Sequence, residues 1–421
     1  MIKNIILQQK TEKENFFLKK YIHREKLNYA KKFLKNNLIK IITGPRRAGK
    51  STFAMLLLQD ENFAYLNFDD ELLKTINTDE IIKGLFEIYK NPKYILFDEI
   101  QNLKDWELFV NKLQRRDYNI TITGSNANLL STELASALTG RHIPIEILPF
   151  NFREFLKAKE FDTSEDIVEL PEVKGKILNY LSEYLETGGF PEIVVNKLDV
   201  KAYLTTLFDS ILLKDIIKRH NVKLSQNIYN LSYYLLSNCS CEYSFNKLKN
   251  ILNARSVVTL QNYFQYLKEA YLVYSLNRFS FKVKEQIKAP SKLYLVDNGL
   301  IASKITSHSL NLGKAIENLT FVELLNRGKR PNLDLFYYKT RNQKEVDFVL
   351  RKEIKINQLI QVSYDLSNPY TEKREINSLL EASEELKCSN LSIITWDLEK
   401  KITISKRKLN FIPLWKWLLE V

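Results

Sequence analysis

The eight residues Gly44-Pro45-Arg46-Arg47-Ala48-Gly49-Lys50-Ser51 restrict this chain more than any other stretch, because they match G-x-x-x-x-G-K-[ST] in the context that pattern needs. An apolar run, LIKIITG (38–44), precedes the loop, and the spacing predicts a helix over Thr52–Gln59 after it. Gly44 and Gly49 let the backbone curl around phosphates and aim N–H groups at them, and the helix N-terminus adds its positive end. In that cradle, Gly44 to Thr52, Lys50 neutralises the β- and γ-phosphates and Ser51 offers its hydroxyl to Mg²⁺. Arg46 and Arg47 are unusual inside such a loop; either can be a phosphate contact while the other binds a surface acid.

From Leu38 to about Arg153 short apolar strands alternate with helical stretches, which predicts a parallel sheet covered by helices. The other strands are FAYLNF (63–68), YILFDE (94–99), NITITGS (119–125) and IPIEILPF (143–150). A P-loop site needs an acid at the end of a neighbouring buried strand, and Tyr94-Ile95-Leu96-Phe97-Asp98-Glu99 supplies two. Asp98 is placed to hold Mg²⁺ through water, and Glu99, one residue on, to act as general base on the attacking water. Ser125 and Asn126, after the strand expected beside that of Asp98, would touch the γ-phosphate or the water. Arg141 would stabilise transition-state charge, on a nucleotide of its own chain or of a neighbour's, the alternative being a salt bridge.

At 421 residues and 49.5 kDa the chain exceeds what one core organises, and roughly 100–200 residues per domain predicts two or three. A composition 45% hydrophobic and 27% charged is that of a folded chain rather than a disordered one. The net charge of +13 favours a polyanionic partner: nucleic acid, nucleotide or an anionic surface. Cys239, Cys241 and Cys388 with four histidines provide no zinc spacing and no disulfide scaffold, which points to a reducing, cytoplasmic setting. No run approaches the ~20 apolar residues of a membrane span. The acidic, proline-bearing stretch 163–174 reads as a linker, apolar residues recur at helical spacing between about Ile177 and Phe281, and strands return from about Tyr294, notably at 335–340, 345–351 and 359–364.

The stretches ITGPRRAGKST, YILFDEIQN, ITITGSNANLL and LTGRHIPIEILPFNFREFL resemble a family of archaeal and bacterial AAA+-like P-loop ATPases related to the signalling ATPases called STAND proteins. TGGFPEIV (187–194), LLKDIIKRHNV (212–222), KLYLVDNGL (292–300), IENLTFVELL (316–325) and KEVDFVLR (344–351) extend the resemblance over nearly the whole chain. It implies an α/β fold with an AAA+-like ATPase core over 1–160, a helical lid and winged-helix segment over 161–285, and a restriction-endonuclease-like α/β domain over 286–421. It also implies ATP rather than GTP, and supports Gly49, Lys50 and Ser51 as phosphate and Mg²⁺ contacts, Asp98 and Glu99 as the acidic pair, and Ser125 with Asn126 as sensor. Arg141 matches the family's Gly-Arg pair. Gly188, Gly189 and Pro191 match the start of the lid, where a structural turn is the simpler use.

Ser244–Leu252, a turn at Asn253-Ala254-Arg255 and Ser256–Lys268 read as helix-turn-helix, with 271–283 as a β-wing. Between Tyr243 and Lys284 seven Lys or Arg face one acid, Glu269, so this region carries +6 of the chain's +13 and could bind double-stranded DNA; winged helices also serve as protein interfaces. In the last domain Glu317 and Asp347 are conceivable metal ligands. The next strand, however, has Gln361-Val362-Ser363 where a nuclease needs E-x-K, so cleavage is not expected and Asp347 would instead pair with a Lys or Arg. FIPLWKWLLEV at the C-terminus reads as a core-packing helix. The leading function is a Mg²⁺-dependent ATPase switch acting with DNA, a protein partner or further copies of the chain. The alternatives are a nucleotide-dependent signalling module with little turnover, or an ATP-coupled nuclease.

Overall fold

The computed structural model describes residues 2–127, 140–163, 170–196, 198–304 and 311–420. Residues 164–169, half of the expected linker, and the Leu138-Thr139 pair preceding Gly140 lie outside the described residues. The chain divides into two compact units, Met1–Phe150 with Glu269–Tyr271, and Asn151–Lys268 with Leu272–Val421.

The first unit is built on five parallel strands, β1 (Ile39–Thr43), β2 (Phe63–Asn67), β3 (Tyr94–Asp98), β4 (Asn119–Gly124) and β5 (His142–Glu146), in the order β2-β3-β4-β1-β5. Helices cover both faces, so β1, β3 and β4 are buried along their whole length, including the threonines of β4. Alternate residues feed two cores. Ile41, Leu66, Phe97 and Ile122 pack with the helices Ile2–Phe16, Thr78–Tyr89 and Trp106–Gln114 on one face. Ile42, Tyr65, Leu96 and Ile145 pack with Lys26–Lys31 and Lys50–Leu57 on the other. Lys40 interrupts the pattern from inside β1: it is fully buried, its Nζ donates to the Asn36 carbonyl at 2.9 Å, and burial lowers its pKa to about 8.

The second unit holds two sheets. A helix (Ser225–Ser237) leads into β6 (Glu242–Tyr243), the helices Phe245–Ile251 and Val257–Glu269, and a hairpin of β7 (Val273–Asn277) and β8 (Ser291–Leu295), with the antiparallel order β6-β8-β7. Of the stretch 271–283 read as a wing, β7 is a strand, and a short helix, Val283–Lys288, separates it from β8. The expected boundary after residue 285 falls within this hairpin, since β8 completes the sheet begun by β6. The second sheet is mixed, β13-β14-β12-β11-β10-β9, from β9 (Leu335–Lys339), β10 (Glu345–Lys352), β11 (Lys355–Ser363), β12 (Leu391–Thr395), β13 (Lys400–Ile404) and β14 (Arg407–Pro413). The helices Leu312–Asn326 and Pro369–Leu386 pack on β11, and the C-terminal helix Leu414–Leu419 buries Trp415 and Trp417. Among the described residues no helix is long and apolar enough to cross a membrane.

Candidate nucleotide site

The P-loop follows β1 at the carboxyl edge of the five-stranded sheet. Its two glycines are required by geometry. Gly44 has φ +144°, and a Cβ there would lie 1.9 Å from the Ile147 carbonyl oxygen, because the chain after β5 closes onto the loop through Ile147 N–H to the Thr43 carbonyl at 2.8 Å. Gly49 has φ +88° and caps the helix, which therefore begins at Lys50, two residues before the expected start. Pro45 and Ala48 are buried, Arg46 is half-buried, and Arg47, at φ +66°, is exposed. Thr52 lies in the first helical turn, half-buried. Lys50 Nζ donates to the Pro45 carbonyl of its own loop at 2.9 Å.

β4 lies between β1 and β3, so the ends of three strands meet beside the loop. Ser51 Oγ donates to Asp98 Oδ1 at 2.9 Å, Thr123 Oγ1 donates to the same oxygen, and the Tyr65 hydroxyl donates to Oδ2 at 3.3 Å. Asp98 is only 3% exposed. Burial first, and the Glu99 charge second, push its carboxyl up to about 6, against the Thr123 and Ser51 donors and the Lys50 charge. Glu99 ends the strand one residue earlier than its apolar pattern predicts, at φ +50°. That left-handed turn points the two carboxylates apart: Glu99 accepts from Gln101 Nε2 and, at 3.4 Å, from Ser125 Oγ. Ser125 and Asn126 are buried after β4.

Arg141 lies elsewhere. It immediately precedes β5, its carbonyl accepts from Ile39 N–H at 3.0 Å, and β5 pairs in parallel with β1 from Ile39 opposite His142 to Thr43 opposite Glu146. It therefore sits at the amino edge of the sheet, a strand length of roughly 16 Å from the P-loop edge. The reading in which Arg141 serves the nucleotide of its own chain is corrected: the strand direction carries it to the opposite edge, with its side chain exposed.

Two contributors went unseen in the sequence. Thr123 links the acids, donating to Asp98 and accepting from Glu99 N–H at 3.1 Å; a hydroxyl within a buried apolar strand was the available signal. Arg24, 6% exposed, donates to the carbonyls of Ala48 at 3.0 Å and Leu148 at 2.7 Å and lies over the Phe150 ring, fastening the P-loop to the segment that closes on Gly44. Nothing in the local pattern around Arg24 marks it.

In the second unit Glu317, Asp347 and Gln361 do come together, with Lys292 of β8 among them. Its Nζ lies 2.7 Å from Glu317 Oε1, 2.8 Å from Glu345 Oε1 and 3.0 Å from Asp347 Oδ1. Asp347 is thus paired with a lysine; Ser363 lines the same cleft, its hydroxyl directed at the Asp365 carbonyl at 3.4 Å. Burial pushes the Glu317 carboxyl up to about 7. The three cysteines are free, and among the described residues no group of three or more His, Cys, Asp or Glu is arranged to hold a metal ion.

A P-loop at the carboxyl edge of a parallel sheet ordered β2-β3-β4-β1-β5, with Asp98 opposite Ser51, defines an AAA+-like P-loop ATPase domain. In agreement, the AAA domain family matches residues 36–156, and the domains of unknown function DUF8612 and DUF4143 match residues 178–310 and 312–417. The chain is 39% identical over 405 residues to "Uncharacterized protein MJ1544" of Methanocaldococcus jannaschii, covering 91% of this chain and 88% of that protein. It is 33% identical over 371 residues to an uncharacterized protein of Haemophilus influenzae, covering 83% of this chain and 88% of that one. The chain belongs to the family of these two proteins. Among solved structures the Walker-type ATPase PABY2304 of Pyrococcus abyssi is similar at 14% identity and a TM-score of 0.45, covering 67% of this chain and 95% of that one.

Proposed function

We propose that this protein hydrolyses ATP to ADP and phosphate in the presence of Mg²⁺ and uses the nucleotide cycle as a conformational switch. The observation that supports this best is the convergence of Ser51 and Asp98, 2.9 Å apart, with Glu99 and Ser125 on the same sheet edge. A protein that only bound nucleotide would need Lys50 and Ser51 but no second acid beyond the metal-holding one.

The donor set, a hydroxyl beside a carboxylate, fits a hard divalent cation: Ser51 would ligate Mg²⁺ directly and Asp98 through water, and the ion would neutralise phosphate charge. The backbone from Gly44 to Thr52 binds the phosphates and Lys50 exchanges its loop carbonyl for a phosphate oxygen. Glu99 takes a proton from the attacking water, which Ser125 and Asn126 orient. Arg141, at the far edge of its own sheet, serves the nucleotide of a neighbouring copy, so the active assembly is a homo-oligomer.

DNA is the partner favoured for the second unit. The order helix, β6, helix, helix, hairpin is that of a winged helix, and Lys247, Arg255, Lys282 and Lys284 are exposed on it. Arg278 is used internally, donating to the Lys339 carbonyl at 2.8 Å. Steady-state ATP hydrolysis, with and without double-stranded DNA at moderate salt, tests both readings against Lys50→Ala and Glu99→Gln controls. The expected result is turnover raised by DNA and lost in both variants. Tight ATP binding without turnover, indifferent to DNA, would overturn them in favour of a nucleotide-dependent signalling module with a protein partner. Mg²⁺-dependent DNA cleavage lost in Asp347→Ala would instead establish an ATP-coupled nuclease.

A further inference from the structure

Three large apolar side chains stand in solvent on the short segment that joins β7 to β8: Phe281 is 71% exposed, Val283 66% and Ile287 76%. Val283 and Ile287, four residues apart on the helix Val283–Lys288, share one of its faces. Lys282, Lys284 and Lys288 alternate with the apolar residues and are exposed with them. The single acid among them, Glu285, is engaged locally, by Lys282 Nζ at 3.1 Å and by the Ser280 hydroxyl, which donates to it at 2.9 Å. The segment therefore presents apolar surface and surplus positive charge together.

Its shape is fixed before any partner arrives. The stem is fastened to β9, where Phe279 N–H donates to the Tyr337 carbonyl at 2.7 Å and Arg278 donates to the Lys339 carbonyl at 2.8 Å. Phe279 is buried against Phe336, and its ring meets that of Phe281 nearly at right angles, with centroids 5.0 Å apart and planes at 80°. A buried ring thus props an exposed one and leaves most of it open. Lys282 N–H donates to the Ser280 hydroxyl at 3.1 Å, which sets the turn into the helix. A preformed contact of this kind loses little freedom on binding.

Single exposed apolar residues are ordinary, but three interleaved with lysines on a braced tip call for a partner that offers negative charge and apolar faces side by side. Paired DNA offers phosphates while its base faces are stacked on one another; unpaired nucleotides offer both. A bilayer also offers both, yet an interfacial helix lays an apolar stripe of several turns into it, whereas Val283–Lys288 has fewer than two turns and Phe281 precedes it.

We propose that this tip is a contact for unpaired nucleotides at the end of a DNA duplex: Phe281 stacks on an unpaired base, Val283 and Ile287 pack beside it, and Lys282, Lys284 and Lys288 meet the flanking phosphates. The inference rests on the DNA reading of the second unit and narrows it to a junction between paired and single-stranded DNA.

The test compares binding of the full-length chain to a blunt duplex and to the same duplex extended by two unpaired arms, by fluorescence anisotropy, with 2-aminopurine at the first unpaired position as a stacking probe. The natural chain is expected to bind the forked DNA about fivefold or more tighter than the blunt duplex and to quench the probe. Phe281→Ala and Phe281→Leu are expected to lose both the preference and the quenching at an unchanged melting temperature, and Phe281→Trp to keep them. Lys282→Gln/Lys284→Gln is expected to weaken forked binding and flatten its salt dependence. Equal binding of forked and blunt DNA by the natural chain, or a preference that survives Phe281→Leu, overturns the proposal while leaving the DNA reading standing. Binding to neither DNA overturns both. Capture of the chain by phosphatidylserine vesicles, lost in Phe281→Ala and without any preference for forked DNA, overturns the proposal in favour of a membrane surface.

Discussion

At the scale of single residues the site is decided by which hydroxyls reach which carboxylates. Asp98 accepts from Ser51, Thr123 and Tyr65, whereas Glu99 accepts from Ser125 and Gln101, so the two carboxylates have separate partners. Under the proposed function, in which Glu99 is the base, Glu99→Gln should lower kcat for ATP hydrolysis by about 10²–10⁴-fold while ATP affinity, read by fluorescence titration, stays near that of the natural chain. Thr123→Val should act differently. It leaves the Glu99 N–H without its acceptor and strips Asp98 of a donor, lowering stability by about 1–3 kcal/mol in denaturant unfolding. The same logic applies to Arg24→Met, which strands the buried carbonyls of Ala48 and Leu148; a similar loss of stability should come with weaker ATP binding, because the loop loses its fastening.

At the scale of elements, several stretches that carry the family resemblance prove to be joints. Asn151 and Glu154 of NFREFL form a capping box, and Arg153 reaches Glu323 of IENLTFVELL at 3.1 Å. Gly188 of TGGFPEIV has φ +73°, and a Cβ there would lie 1.8 Å from the carboxylate of Asp297 in KLYLVDNGL. That carboxylate accepts from Gly189 N–H at 2.7 Å and Gly299 N–H at 2.8 Å. The glycine pair is therefore a helix end shaped around an acid, which is the structural use its sequence suggested. Burial pushes the Asp297 carboxyl up to about 7. Because the folded value lies above that of the unfolded chain, this group's contribution to stability is fully present below about pH 4 and declines as pH rises towards 7. Asp297→Asn does not titrate and loses one of the two N–H contacts. Thermal melts should therefore show it less stable than the natural chain at pH 5, with the gap narrowing by pH 8; a gap independent of pH would contradict the assignment.

At the scale of the whole molecule, the proposed role of Arg141 on a neighbouring copy makes a prediction about mixtures of variant chains. Arg141→Ala chains retain a complete P-loop and acidic pair, and Glu99→Gln chains retain Arg141, so mixing the two inactive proteins should restore part of the ATPase activity. No gain on mixing, measured over a range of ratios, would remove Arg141 from the site. How much of this could be read from the sequence follows from the range of the forces involved. The P-loop, the acid pair at a strand end and the parallel α/β class were legible because each is a local device: backbone N–H groups at a helix start, a buried apolar run ending in charge, a strand alternating with a helix. The edge on which Arg141 falls was not legible, because strand order and direction are set by which sheet faces the helices can bury. Arg24, Asp297 and Lys292 were equally hidden, since a buried charge has meaning only beside its partners, and each has one at least 24 residues away along the chain. The sequence by itself determined the chemistry available, a phosphate cradle with two acids at a neighbouring strand end. Only the tertiary structure decided which charges meet, because the cost of burying an ion is met by long-range pairing that no local pattern records.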